Sequence, residues 1–221
     1  LFKETRLYMK YGQFKNRVLS LPLIKSRDLI KSEKETQIMR NQFKRWQEKG
    51  LVIKLKRGIY ILNENDRKIN PSRQFIANQL YAPSYVSLEY ALNFYGIIPE
   101  RVMEVTSITT KKTARFSNGL GSFVYQRIKP SAFRGFKAVK DERGLTYLMA
   151  EPEKAIVDFL YLNLSTIKTL GKGVFKDSYR FQNIGSLHQN KLKEFSKLFK
   201  SNRLTENIKI LCEFIKKEKV G

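Results

Sequence analysis

Acidic residues are scarce in this sequence: 20 Asp and Glu stand against 43 Lys and Arg in 221 residues, a formal charge of +23. Such an excess bears on partners rather than fold, and it points first to nucleic acid and second to an anionic membrane surface. Cysteine is almost missing. Cys212 stands alone, which excludes an internal disulfide framework and fits a reducing compartment. With His188 as the single histidine, histidine-based metal sites and Ser–His chemistry are not expected. Long apolar runs are also absent: Ala155-Ile156-Val157 and Phe159-Leu160-Tyr161-Leu162 are interrupted well short of the roughly 20 residues a membrane span needs. The opening Leu1-Phe2-Lys3-Glu4-Thr5-Arg6 has no apolar stretch of the signal-peptide kind. The expectation is a soluble, cytoplasmic protein without cofactor or metal. Its 42% hydrophobic content suffices for a buried core and argues against general disorder.

Charge is not spread evenly. The 70 residues before Pro71 carry 18 basic and 7 acidic side chains, and the remaining 151 carry 25 and 13. The N-terminal third therefore has nearly twice the charge density. The polar stretch Asn63-Glu64-Asn65-Asp66-Arg67-Lys68 reads as a linker, giving two domains, 1–66 and 67–221.

In the first domain, Leu7, Tyr11, Phe14, Val18 and Leu21 form one helical stripe that stops before Pro22. A short helix at 26–31 follows, with Ser26 as cap. Ser32-Glu33-Lys34-Glu35 is a capping box that opens a helix to Lys49, ended by Gly50. Met39, Phe43 and Trp46 then face the core. Leu51–Leu55 and Ile59–Leu62 are strand-forming runs joined by Lys56-Arg57-Gly58, a hairpin signal.

The second domain alternates. Helices are predicted from Asn70-Pro71 to Leu80, Ser87 to Tyr95, Glu151 to Tyr161, and at about 189–200 and 206–218. Strands are predicted at Val102–Ile108, Ala114–Phe116, Ser122–Ile128, Phe136–Val139 and Leu145–Met149, with turns at Asn118-Gly119 and Arg143-Gly144. The fold class is α+β: an N-terminal winged helix-turn-helix and a C-terminal domain with an antiparallel sheet and flanking helices.

Helices followed by a basic hairpin suit DNA, because a helix fits the major groove while a wing follows the backbone or the minor groove. If Met39, Phe43 and Trp46 point inward, Lys34, Gln37, Arg40, Asn41, Lys44 and Arg45 fall on outer faces. Gln37, Arg40 and Asn41 are candidate base readers, and Lys34, Lys44 and Arg45 candidate phosphate neutralisers. The wing adds Lys54, Lys56 and Arg57. Any one of these is also an ordinary solvated charge; the ordered set is what points to double-stranded DNA.

Phe43-Lys44-Arg45-Trp46-Gln47-Glu48-Lys49-Gly50-Leu51-Val52, followed by Lys56-Arg57-Gly58-Ile59-Tyr60, resembles the winged helix of AbiEi-type antitoxins, also described as predicted transcriptional regulators of viral defence systems. The resemblance continues in Pro83–Leu92, Tyr95–Glu100, Val105–Lys112 and Ala150–Ala155. Its most diagnostic blocks are Ser87-Leu88-Glu89 and Pro152-Glu153-Lys154-Ala155. It implies the antitoxin of a type IV toxin–antitoxin pair in abortive phage infection. The N-terminal domain would repress the operon by binding inverted repeats in its promoter. The second domain would counteract a nucleotidyltransferase toxin, without a stable complex being required. No catalytic residue is implied.

Glu151-x-Glu153-Lys154 has the outline of a nuclease metal site, the basis of an enzyme alternative in which a winged helix targets DNA cleavage. The plainer reading puts both acids at a helix N-terminus, where they favour the dipole. Ser87 and Glu89 read as a helix start, Cys212 as core, and Gly171-Lys172-Gly173 lacks the frame of a phosphate loop. A winged helix that binds protein is a third class. Lys111, Lys112, Arg115, Arg127 and Lys129 form a possible second basic surface near a predicted hairpin, or merely keep strand edges soluble.

Overall fold

The computed structural model describes residues 9–29, 33–165 and 174–218. The chain is mixed α+β and divides into two compact units: the residues up to Ser72 together with Phe116–Gly121, and Arg73–Arg115 together with Ser122 onward.

The first unit runs α1 (Tyr11–Val18), β1 (Ile24–Lys25), a 3-10 turn (Ser26–Asp28), α2 (Glu33–Glu48), β2 (Val52–Lys56) and β3 (Ile59–Leu62). The strands form one antiparallel sheet in the order β1-β3-β2. Phe14, Val18, Ile24, Phe43, Trp46, Val52, Tyr60 and Leu62 make the core. Its centre is aromatic: Phe14 stacks on Trp46 at 4.4 Å, meets Phe43 edge-on at 5.5 Å, and Phe43 stacks on Tyr60 at 4.1 Å. Ring pairs of this kind contribute about 0.5–1.5 kcal/mol each beyond the area they bury. Gly50 closes α2 at φ +66°, a left-handed position a Cβ would disfavour. There the Gly50 N–H donates to Gln47 O and the Leu51 N–H to Trp46 O, a Schellman ending that satisfies two orphan carbonyls and aims the chain into β2.

Several expectations shift here. Of the helix foreseen at 26–31, the described residues form a three-residue 3-10 turn, closed by Leu29 N–H to Ser26 O, and Ser26 is its first residue rather than its cap. Leu7, Ile30, Ser32 and the Glu35 side chain, and with them the capping box, lie outside what the structure describes. Met39 is half-buried and packs on the rim of the core instead of inside it.

From Arg73 the chain runs α3 (Arg73–Leu80), β4 (Ser84–Val86), α4 (Leu88–Phe94), β5 (Val105–Thr109), β6 (Ala114–Asn118), β7 (Gly121–Arg127), β8 (Phe136–Lys140), β9 (Thr146–Ala150), α5 (Pro152–Leu162), α6 (Gln189–Lys197) and α7 (Asn202–Glu218), all in the second unit except Phe116–Gly121 at the end of β6 and the start of β7. The sheet is six-stranded, β6-β7-β5-β4-β9-β8. It is mixed, which corrects the antiparallel expectation: β5 runs parallel to β7, and β4 parallel to β9 at Val86↔Met149. Proximity in sequence suggested a hairpin ladder, but β7 inserts between β6 and β5. The turn after β6 is Gly119-Leu120, one residue later than expected. Alternation along the strands sends Tyr85 and Ile108 toward the cluster built with α4 and α5. Ser107 and Tyr125 take the opposite face, where the Tyr125 hydroxyl donates to Ala77 O of α3 at 2.6 Å. Helices α6 and α7 complete the core through Leu192, Phe195, Leu204, Ile208, Leu211 and Ile215. Among the described residues no helix is long and apolar enough to cross a membrane.

Candidate nucleic-acid interface

Within the first unit a concavity of about 950 Å³ opens between α2 and the β2–β3 hairpin. Helix α2 presents Thr36, Met39, Arg40, Phe43, Lys44 and Gln47 to it; the hairpin presents Lys54, Arg57, Gly58 and Tyr60; the 3-10 turn adds Ser26 and Arg27. The helical contribution follows from spacing, since Thr36, Arg40, Lys44 and Gln47 recur every three or four residues on one stripe. The floor is the Phe43–Tyr60 ring pair. Among the described residues five cations line the rim and no carboxylate does. Two have acidic neighbours outside the groove: Arg27 beside Asp28 at 3.5 Å, and Lys44 beside Glu48 at 4.0 Å, both exposed pairs of little energetic weight. Burial pushes the Tyr60 phenol up, and the Arg40 charge opposes that rise, so Arg40 acts over the floor of the groove.

The structure thus brings together four of the nine foreseen residues: Arg40, Lys44, Lys54 and Arg57. Gln37 and Asn41 stand exposed on α2 away from the groove, the Gln37 amide donating to Asn41 Oδ1 at 3.3 Å. Arg45 is exposed on the same helix; the Lys34 side chain lies outside the described residues. Lys56 is parted from Lys54. The ladder pairs Lys54 with Tyr60 and then Lys56 with Ile59, so Leu55 is the extra residue of a bulge, and the Lys56 ammonium sits 4.9 Å from the Phe116 ring centroid. Arg27 is the residue that sequence reading missed. Its neighbour in space is fixed by β1, where Ile24 pairs with Tyr60, and two-residue strands leave almost no trace in sequence.

The second basic group is not a free patch. The Lys111 ammonium donates to Ala82 O at 2.6 Å and lies over the Tyr81 ring, Arg115 forks onto the Glu104 carboxylate at 2.6–2.9 Å, and the Lys129 ammonium donates to Phe199 O. Lys112 and Arg127 are exposed.

The Glu151–Lys154 stretch is bound up in packing. The Glu151 carboxylate pairs with Lys191. Glu153 lies in the first turn of α5, the helix start expected for it, and its Oε1 also accepts the His188 N–H at 2.9 Å, immediately before α6. Lys154 is fully buried against Asp158, whose other oxygen accepts the Tyr85 and Ser87 hydroxyls at 2.9 Å each. Burial pushes the Asp158 carboxyl up and the Lys154 ammonium down, each opposed by the other's charge. A separate concavity of about 610 Å³ in this unit mixes Glu89 and Glu104 with Arg101, so it has no single-sign field. Cys212 is buried, as its helical stripe indicated, and burial raises its thiol pKa.

No protein-family model matches the chain, and comparison with curated proteins finds no match.

Proposed function

We propose that the chain is a sequence-specific DNA-binding repressor whose first unit is a winged helix, with α2 as recognition helix and the β2–β3 hairpin as wing. The observation that carries this reading is the groove rim of Arg27, Arg40, Lys44, Lys54 and Arg57, five cations with no carboxylate lining the groove among the described residues. Holding like charges together costs free energy unless a polyanion neutralises them, and duplex DNA supplies one negative charge per about 1.7 Å of helix axis. The order helix, turn, helix, hairpin supports a major-groove helix with a flanking wing. The resemblance in Phe43–Val52, Ser87–Glu89 and Pro152–Ala155 supports the more specific role: repression at promoter inverted repeats by the antitoxin of a type IV pair, the second unit acting against a nucleotidyltransferase toxin.

The deciding experiment is fluorescence anisotropy of the full chain with a labelled duplex across a salt series. Five phosphate contacts give a slope of log K on log[salt] of about −4 to −5. A flat salt response overturns the reading. The antitoxin role is tested by growth of cells expressing a neighbouring toxin gene with and without this protein; absence of rescue removes that role and leaves repression standing.

A further inference from the structure

The groove and the crown of α2 are two different surfaces. At 100° per residue, Arg40 leaves the helix about 60° from Phe43, on the flank that faces the hairpin, whereas Gln37 and Asn41 leave at about 120° and 160°, away from the core. The contacts agree with this geometry: Arg40 lines the groove with Lys54 and Arg57, and its charge is felt by the buried Tyr60, while Gln37 and Asn41 are exposed and hydrogen-bonded to each other. A major groove about 12 Å wide admits the crown of a helix, and the strand bordering that groove then lies along the flank.

On the reading that α2 enters duplex DNA, we infer that the slot between α2 and the hairpin seats one phosphodiester strand, with Arg27, Arg40, Lys44, Lys54 and Arg57 on its phosphates, and that sequence is read by the Gln37–Asn41 amide pair. An arginine at the centre of a recognition helix is ordinarily the first candidate for guanine; here Arg40 is surrounded by four other cations over an aromatic floor, the setting of a phosphate clamp. The paired amides are the chemistry that suits adenine, whose N6 and N7 present a donor and an acceptor side by side. Their mutual hydrogen bond at 3.3 Å holds both side chains on one line before DNA arrives.

The test is selection from a random duplex pool by the full chain and by Arg27→Ala, Arg40→Ala, Gln37→Ala and Asn41→Ala, followed by salt titrations on the selected duplex. The four side chains are exposed, so the variants fold. Arg40→Ala and Arg27→Ala are expected to enrich the same motif as the unmutated chain, bind it more weakly, and each reduce the salt slope by about 0.9. Asn41→Ala and Gln37→Ala are expected to keep the slope and lose an adenine preference at one position each, by about 5- to 150-fold. A motif altered by Arg40→Ala, or left intact by both amide variants, overturns this division while leaving DNA binding in place. Failure of the unmutated chain to bind any duplex overturns the underlying reading and the division with it.

Discussion

The two units use lysine and arginine in opposite ways. In the first, Arg40, Lys54 and Arg57 stand at a groove with no carboxylate partner among the described residues. In the second, Lys154 is sealed from water, paired with Asp158, and covered by the rings of Phe199 and Tyr85 at 4.8 and 5.6 Å. An exposed charge keeps its hydration and contributes little to the fold, so it remains free for a partner. A buried charge has already exchanged water for protein, and its energy is committed to holding β4 on α5. The positive charge of this chain is therefore not one property. Its net value speaks of partners, whereas the location of each cation decides whether it speaks of partners or of architecture.

The sharpest way to break this contrast is to remove one half of the buried pair. Asp158→Ala strands the Lys154 ammonium and two hydroxyls, and is expected to cost about 3–5 kcal/mol in urea unfolding. Replacing both charges, Lys154→Met with Asp158→Leu, is expected to recover most of that loss, because an apolar pair carries no desolvation penalty. If the single and double variants are equally unstable, the network acts through shape and not through charge.

A smaller effect is expected beside it. Gly135 sits at φ +81°, and a Cβ there would meet Phe195 at 2.8 Å and the Lys154 chain at 3.1 Å. Gly135→Ala combines backbone strain with overpacking, a loss of about 2–4 kcal/mol in the same assay. An unchanged midpoint would mean that α6 can withdraw from Lys154 without penalty.

Asp66 occupies the middle of the scale. Its carboxylate accepts the Lys15 ammonium and the Tyr11 hydroxyl, and these two contacts hold its pKa below the ordinary carboxylate value. A depressed folded-state pKa gives stability that is complete above the unfolded value near about 3.9 and lost as pH falls through the folded one. The pair is partly exposed, so the contribution is below about 1 kcal/mol. Acid unfolding of the first unit, followed by Trp46 fluorescence, should lose that increment in Asp66→Asn; identical acid profiles refute it.

The smallest stability effect belongs to the groove. Arg27→Glu with Arg57→Glu is expected to change unfolding free energy by no more than about 0.5 kcal/mol. Stabilisation beyond that would show that the clustered cations strain the folded state.

Local patterns carried most of the element order. The Phe14–Val18 and Phe43–Trp46 spacings, the Gly50 ending and the Lys56-Arg57-Gly58 turn are each encoded within a few residues. What sequence could not reveal was long-range. The parallel β5–β7 and β4–β9 pairings join segments whose separation says nothing about direction, and β4 has only three residues behind Pro83. The Lys154–Asp158 spacing of four was a readable signal for an ion pair, but a surface pair and a buried one look alike without the sheet beneath them. At the candidate interface, helix periodicity located Arg40 and Lys44 on an outer face. It could not separate groove from crown, because that depends on where the hairpin sits.

The Leu55 bulge has a consequence for how this surface can change. Side chains along a strand alternate in parity, and one additional residue inverts the parity of everything after it. Lys54 and Lys56, two positions apart, would share a side on a regular strand; here one borders the groove and the other lies over Phe116. A single-codon deletion in β2 would realign the hairpin and exchange which cations border the groove without altering the number of charges. The hairpin can thus be retuned by a frame-preserving insertion or deletion as well as by substitution, a route open to few binding surfaces made of regular strands.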